Sequence, residues 1–167
     1  TQELMKTLTL STFALAECGA RLNMEEATER WRNTAARRLE YLTDKLWLDG
    51  RFVCRDKSGT AYASESILCC TPVLLGKRLP SAQAEKTAEL IMDKFFVPGR
   101  GLLTEESGDR TDTVLTALLT AGLCDAGRKD LGKRLAGDMR ECISRYGLYS
   151  EYPAAGKPAR GCGSLYS

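Results

Sequence analysis

Residues 44–50 read DKLWLDG and residues 93–99 read DKFFVPG, so one pattern of acid, base, apolar run and glycine occurs twice. A looser third copy, SRYG, occupies residues 144–147. Gly50 and Gly99 lie 49 residues apart, and Gly99 and Gly147 lie 48 apart. A period of this length is typical of arrays in which each unit is one hairpin of two helices. The sequence therefore predicts three consecutive helical hairpins.

Hydrophobic periodicity predicts six helices, over residues 3–21, 24–47, 64–77, 82–95, 111–125 and 129–145. The odd-numbered helices are apolar on most faces, which predicts largely buried inner helices. The even-numbered helices carry one apolar stripe and one charged face, which predicts outer helices. Asn23, Ser64 and Thr111 are the predicted N-caps. Pro72 must either kink the third helix or lie in its first turn.

Long loops are predicted after the outer helices, and a hairpin array brings them to one face. The first covers residues 48–63, far longer than the ~2–8 residues usual between helices. Residues 51–54 within it are predicted to form a short strand pair or an extended stretch. Loops of this length usually carry function.

Composition excludes several classes of function. The 167 residues are 43% apolar and 28% charged, which suits one α-helical domain over residues 1–167 with a sizeable core. Lys and Arg total 24 against 22 Asp and Glu, and no basic block occurs, so no nucleic-acid partner is expected. No apolar run approaches the ~20 residues of a membrane span, so no membrane partner is expected.

Histidine is absent from the sequence. This excludes Ser-His-Asp and Cys-His catalysis, histidine-bound zinc and a histidine pH switch. Carboxylates, tyrosines, lysines, arginines and thiols remain for chemistry. No cofactor and no metal are expected.

The seven cysteines cannot all pair within one chain, and no C-x-x-C motif occurs. Most fall beside apolar residues of predicted helices, which favours buried free thiols and a reducing, cytoplasmic location. This group comprises Cys18, Cys69, Cys70, Cys124 and Cys142. Cys162, between two glycines, is the expected exposed thiol.

The ends of the sequence indicate a segment of a longer protein. There is no initiator Met and no signal-peptide pattern, and residues 164–167 read as the start of another element. A leader in the longer protein is compatible with this expectation. Three hairpins of an array also leave inner helices exposed at two edges, so a homodimer or the remaining chain is the expected protein partner.

Four stretches resemble the six-hairpin glycosidases, whose fold is an (α/α)6 toroid. Residues 27–50, ATERWRNTAARRLEYLTDKLWLDG, resemble a Trp-x-x-x-Ala helix that runs into a Trp-x-Asp-Gly loop. Residues 79–93, LPSAQAEKTAELIMD, and 117–135, ALLTAGLCDAGRKDLGKRL, are similar to an outer helix and an inner helix turn of that family. The fourth stretch is 149–167, YSEYPAAGKPARGCGSLYS. The resemblance implies an all-α fold of antiparallel hairpins, matching the C-terminal half of the toroid.

The fourth stretch carries the chemistry that the resemblance implies. In related glycosidases, a Ser-Glu-aromatic or Glu-x-Tyr element carries a catalytic carboxylate, and a Gly and then the start of a helix follow it. Glu151 would then be the general base of an inverting glycosidase, with Tyr149 and Tyr152 as substrate-binding neighbours. The alternative for Glu151 is a solvated side chain in a polar loop.

Other candidates for sugar binding lie at the start of an inner helix or at the end of an outer helix. Asp112 and Arg110 lie at the start of the fifth helix, where Asp112 binds either a sugar hydroxyl or free helix amides. Glu65, at the start of the third helix, has the same two interpretations. Trp47 is either a sugar platform or an apolar anchor for the outer helix. The pair at residues 105 and 106 is interpreted as solvated loop charge.

Departures from the family bear on the substrate. Residues 108–113, GDRTDT, lack the Trp-rich stretch of several members, and residues 165–167 have LYS where Trp is common. The hairpins that usually supply the general acid are absent from the sequence. The absence of histidine argues against the epimerases that share the toroid.

Two functions follow as expectations. The first is a glycoside hydrolase that cleaves an oligosaccharide. The second is a non-catalytic helical-repeat module whose open face binds a protein. The hydrolase should show clustered acids and aromatics at its loop face, and the module should show an exposed apolar surface.

Overall fold

The computed structural model describes residues 2–146, with the side chains of residues 9–142 and 144. The chain forms two compact units, Thr1–Ala63 and Ser64–Ser167. Each is built around helical hairpins, as the hydrophobic periodicity predicts.

The first unit begins with the hairpin of α1, Gln2–Arg21, and α2, Glu25–Glu40. A stripe of small residues on α1 is buried, at positions 9, 12, 16 and 19. A Cβ on Gly19 would lie 2.7 Å from Oγ1 of Thr28 on α2, so glycine permits the two helices to approach closely. The turn between them is not capped by Asn23 as predicted: Met24 is the N-cap of α2 and makes no side-chain cap bond.

The prediction that the first helix is largely buried is wrong for its described side chains. Leu15 is 43% exposed, and Ala14 and Cys18 are exposed as well. The buried positions follow a three- and four-residue step along one face only. The apolar content of α1 therefore exceeds what its hairpin partner covers.

After α2 the chain forms a π-helical turn, Tyr41–Lys45, and then short strands. Strands β1, Trp47–Leu48, and β2, Arg51–Phe52, pair antiparallel about Gly50, whose φ is +77°. Strands β3, Cys54–Arg55, and β4, Ala61–Tyr62, form a second hairpin. The predicted short strand pair is therefore present, although β2 pairs with β1.

The second unit opens with a 3₁₀ helix, Ile67–Arg78, where an α-helix from residue 64 was predicted. Ser66, not Ser64, is its N-cap, and the Ser66 side chain accepts a bond from the Leu68 amide. Pro72 lies inside it, and Gly76 interrupts it with a φ of +56°. Because proline removes a helical donor and clashes with the preceding turn, an α-helix here would be costly.

Helix α3, Ser81–Leu90, follows and ends in a π-helical turn, Ile91–Phe95. Strands β5, Phe96–Val97, and β6, Gly101–Leu102, then pair antiparallel. Helices α4, Thr113–Asp125, and α5, Lys129–Tyr146, complete the described part of the unit. Its core is apolar. The buried members are Ile67, Cys70, Val73, Ala88, Ile91, Phe95, Leu102, Leu119, Leu123 and Leu135. The 3₁₀ helix packs on α4 through Gly122, whose hypothetical Cβ would lie 3.1 Å from the Leu74 backbone.

The predicted repeat is confirmed in three dimensions over its first two copies. Each outer helix ends in a π-helical turn and a two-stranded hairpin. The Val53 amide donates to the Leu46 carbonyl at 2.8 Å, and the Leu103 amide donates to the Phe95 carbonyl at 2.9 Å. The third copy, from residue 147 onward, lies outside the described residues.

No helix within residues 2–146 is long and apolar enough to cross a membrane. No disulfide joins two cysteines within residues 2–146. Cys69, Cys70 and Cys142 are buried as predicted and Cys124 is partly buried, whereas Cys18 is exposed. Cys162 lies outside the described residues.

Candidate functional site

The candidate site of the second unit forms where two loop segments meet at the starts of the 3₁₀ helix and α4. The Ile67 amide donates to the Thr104 carbonyl at 2.9 Å, and the Glu106 amide donates to the Glu65 carbonyl at 2.9 Å. An antiparallel bridge pairs Ser66 with Glu105. Segments that are 40 residues apart in sequence are therefore joined through their backbones. We call residues 103–112 the site loop.

The site loop folds back on itself, which brings Arg110 and Asp112 to the same edge. The Thr104 amide donates to the Arg110 carbonyl at 2.8 Å, and Leu103 forms an antiparallel bridge with Thr111. Thr111 is buried, whereas Arg110 is exposed. Three of the predicted substrate-binding residues, Glu65, Arg110 and Asp112, thus belong to one hydrogen-bonded group of segments.

Asp112 is the N-cap of α4, in place of the predicted Thr111. Its Oδ1 accepts a hydrogen bond from the Leu115 amide at 2.7 Å. Its carbonyl accepts from the Thr116 hydroxyl at 2.7 Å. The carboxylate therefore satisfies one of the helix amides that lack an intrahelical partner. A role in sugar binding stays a prediction.

Glu65 is exposed and contacts the site loop with its side chain as well as its backbone. The Ser107 hydroxyl donates to Oε2 of Glu65 at 3.3 Å. This contact fixes the Glu65 carboxylate beside the tip of the site loop. Sequence reasoning missed Ser107, because nothing in the sequence sets its distance from residue 65.

Trp47 lies in the first unit, half-buried on β1. Its ring meets the ring of Phe52 edge to face, with centroids 4.8 Å apart and an interplanar angle of 69°. Phe52 is 1% exposed, so this contact ties Trp47 to the core of its unit. The geometry is that of an apolar anchor at the end of an outer helix.

Glu151, Tyr149 and Tyr152 lie outside the described residues. The predicted general base and its two aromatic neighbours are therefore known from the sequence alone.

Sequence reasoning also missed an anchor that holds the β5–β6 hairpin on α5. The Gly99 amide donates to Oδ1 of Asp138 at 2.5 Å, and the Cys142 thiol donates to the Gly99 carbonyl at 3.3 Å. The Arg134 guanidinium lies 4.9 Å from the centroid of the Phe96 ring. The four-residue step between 134, 138 and 142 is the sequence signal that could have grouped these side chains.

Burial raises the pKa of the Asp138 carboxyl above its ordinary value, and the negative charge of Glu141 acts in the same direction. The amides of Gly99 and Gly101 and the charge of Arg134 lower this pKa. Within the described residues, Oδ2 of Asp138 is buried and accepts no hydrogen bond. Removal of a carboxylate from water disfavours its charged form, which is why burial dominates.

Two open depressions, of about 430 and 520 Å³, lie elsewhere, at the turn between α1 and α2. They share Met24 and Glu25 in their linings. They contain none of the predicted site residues. Among residues 2–146, no three acidic or sulfur side chains converge as metal ligands would.

Comparison with known proteins gives a relationship of fold. No family model matches this chain, and no curated protein sequence does. Among solved structures, neutral trehalase Nth1 from Saccharomyces cerevisiae matches with a TM-score of 0.61 and 21% identity over 80% of this chain. The match spans 28% of the trehalase chain. That neighbour is an (α/α)6 toroid glycosidase, and this chain has the all-α hairpin fold of part of such a toroid.

Proposed function

We propose that this chain forms part of a glycoside hydrolase that acts on an oligosaccharide. The observation that carries the proposal is the likeness to a trehalase over 80% of the chain. The site loop supports it, because this loop gathers Glu65, Arg110 and Asp112 at the starts of two inner helices. Carboxylates and a guanidinium provide the acceptors and donors that sugar hydroxyls require.

Glu151 is the general base in this proposal. It lies four residues after Gly147, as Cys54 and Leu103 lie four residues after Gly50 and Gly99. Both described counterparts begin the segment that leads from the strand hairpin toward an inner helix: Cys54 starts β3, and Leu103 bridges to Thr111. The repeat supports the proposal of a loop-face position for Glu151, with Tyr149 and Tyr152 as its proposed substrate-binding neighbours.

The reaction is an inverting hydrolysis. The Glu151 carboxylate takes a proton from a water molecule, and the water oxygen forms a bond to the anomeric carbon as the glycosidic bond breaks. The departing sugar oxygen takes a proton from a general acid, for which this sequence offers no candidate. Arg110, Asp112 and Glu65 bind hydroxyls and orient the sugar. Trp47 is the weakest of the candidates, because its ring already packs on Phe52.

The test is Glu151→Gln in the full-length protein. The amide has the same shape but cannot accept the proton, so kcat is expected to fall by about 10²-fold or more while the melting temperature changes little. Glu89→Gln is the matched control, because Glu89 is an exposed residue of α3 whose carboxylate pairs with Lys86 on the helix surface. A wild-type rate in Glu151→Gln would exclude this residue as the base.

A second candidate function is a protein-binding helical module. The observation that favours it is an exposed apolar face on α4, where Val114 is 40% and Leu118 is 49% exposed, one turn apart. Leu118→Lys separates the two functions. A binding module loses its partner or its self-association in light scattering, whereas a hydrolase keeps its kcat.

The partner of the proposed hydrolase is a carbohydrate substrate, with no nucleic acid and no membrane. A homodimer or the remainder of a longer chain is the proposed protein partner. The odd number of cysteines, with Cys69, Cys70 and Cys142 buried in the fold, supports a reducing compartment, and we propose a cytoplasmic location on this basis.

A further inference from the structure

The first half of the site loop is held beside the start of the 3₁₀ helix. The backbone bonds that tie it to residues 65–67 involve Thr104, Glu105 and Glu106. Within the loop, the Gly108 amide donates a hydrogen bond to the Glu105 carbonyl at 3.1 Å. The stretch from Gly108 to Arg110 includes one candidate sugar ligand and precedes the other, Asp112, so the placement of this stretch affects both.

Arg100 reaches this stretch from the neighbouring strand hairpin. Its NH2 group donates to the Asp109 carbonyl at 3.3 Å. The side chain is half-buried, and it begins in the turn between β5 and β6. A guanidinium keeps its charge at every physiological pH and holds its donors in a rigid plane, so the bond to a carbonyl is charge-assisted and directional.

The turn that carries Arg100 is itself anchored. Gly99 is bonded through its amide to Asp138 and through its carbonyl to Cys142, both on α5. The Arg100 amide donates to the Val97 carbonyl at 2.9 Å, which closes the turn. A continuous chain of contacts therefore runs from α5 through the turn and the Arg100 side chain to the Asp109 carbonyl.

We propose that Arg100 is a positioning residue for the substrate site: it holds the Asp109 backbone and thereby sets the placement of Arg110 and Asp112. The proposal rests on the proposed function for its kinetic consequence. Arg100 acts through the backbone of the site loop and touches no substrate.

The first repeat supplies a matched control. Arg51 follows Gly50 as Arg100 follows Gly99, and both side chains are half-buried. Arg51 belongs to the first unit and lies outside the site loop. Arg100→Met and Arg51→Met remove the same guanidinium from equivalent turns, and Arg100→Lys restores one charged donor.

Hydrogen–deuterium exchange and steady-state kinetics of the full-length variants test the proposal. In Arg100→Met, exchange of the Gly108 and Thr104 amides is expected to rise about tenfold, and KM for the glycoside to rise about tenfold with a smaller change in kcat. The larger effect is expected on KM because the proposed base, Glu151, belongs to a separate stretch of the sequence and not to the site loop. Arg100→Lys recovers part of both effects, and Arg51→Met leaves both at the wild-type values.

Equal loop exchange in Arg100→Met and wild type overturns the positioning role, as does an equal change of KM in the Arg100 and Arg51 variants. If the wild-type protein hydrolyses no glycoside, the proposed function fails. The exchange measurement still decides whether Arg100 fixes the loop, because it needs no substrate.

Discussion

Asp112 has a structural task at the start of α4 and, in the proposed function, a chemical one as well. Its carboxylate caps α4, and Asp112 is also the last residue of the site loop that contains Arg110. The sequence identified Asp112 as a candidate, but it assigned the cap to the adjacent Thr111. Both residue types are good caps, so propensity alone could not decide between neighbouring positions. In the fold, the Thr111 side chain is buried and the Asp112 side chain caps the helix.

Substitutions at Asp112 separate its two tasks. Asp112→Ala removes the cap and should lower the free energy of unfolding by about 1 kcal/mol. Asp112→Asn keeps an oxygen for the Leu115 amide, so its stability should match the wild type. If the carboxylate also binds sugar, KM of Asp112→Asn should rise about tenfold.

Urea unfolding and steady-state kinetics of the two variants measure these effects. Asp130→Asn is the control, because Asp130 is an exposed residue of α5 that pairs with Arg128. An unchanged KM in Asp112→Asn would show that Asp112 caps the helix and does not bind the sugar.

The pH dependence of stability should report the buried carboxyl of Asp138. Its pKa is raised in the fold above 3.8, so the folded state binds the proton more tightly than the unfolded chain does. The free energy of unfolding should therefore fall as pH rises from 3.8 through the folded pKa, and then level off. Asp138→Asn keeps an acceptor for the Gly99 amide and removes this fall, which predicts a variant more stable than wild type at neutral pH.

The difference in unfolding free energy between wild type and Asp138→Asn isolates the contribution of Asp138 from those of the other carboxylates. Asp130 contributes with the opposite sign, because its bond to Arg128 lowers its pKa to about 2. Urea midpoints of wild type and Asp138→Asn between about pH 3 and 7 supply the difference. A constant difference over this range would contradict the raised pKa.

At the scale of elements, periodicity located the helices but did not predict the 3₁₀ geometry of the third. The range predicted for the third helix begins close to the observed start, yet the segment is a 3₁₀ helix interrupted at Gly76. Pro72 indicated a possible kink in this helix. The close approach of Gly76 to Asp125 on α4 is a tertiary contact that sequence periodicity does not contain. The first helix was misjudged for a similar reason, because apolar content does not reveal which face finds a partner.

Gly76→Ala should be one of the more destabilising single-methyl changes in the second unit. The backbone has a φ of +56°, and the new Cβ would lie 2.8 Å from Cβ of Asp125. Gly127→Ala is the matched control, because its φ is +94° and nothing lies within 4 Å of the new Cβ. The control should lose about 1 kcal/mol from the left-handed backbone alone. Gly76→Ala should lose more, since it adds the steric conflict; equal losses in thermal unfolding would show that the contact relaxes freely.

At the scale of the whole molecule, the repeat was the most informative feature of the sequence. It predicted the helical hairpins and the loops that follow the outer helices at Gly50 and Gly99. The resemblance to six-hairpin glycosidases agrees with the fold of the trehalase neighbour. The contacts that join the site loop to residues 65–67 and to Arg100 were not predictable, because they depend on how two hairpins pack rather than on any local pattern.

The central claim is that this chain contributes to the hydrolysis of a glycosidic bond with Glu151 as the base. The most direct measurement follows the products of oligosaccharides, trehalose among them, by proton NMR with the full-length protein and with Glu151→Gln. The claim predicts cleavage by the wild type with an inverted anomeric centre in the first product, and cleavage slower by about 10²-fold or more in the variant. Absence of cleavage across the panel, or equal rates in the two proteins, would contradict it.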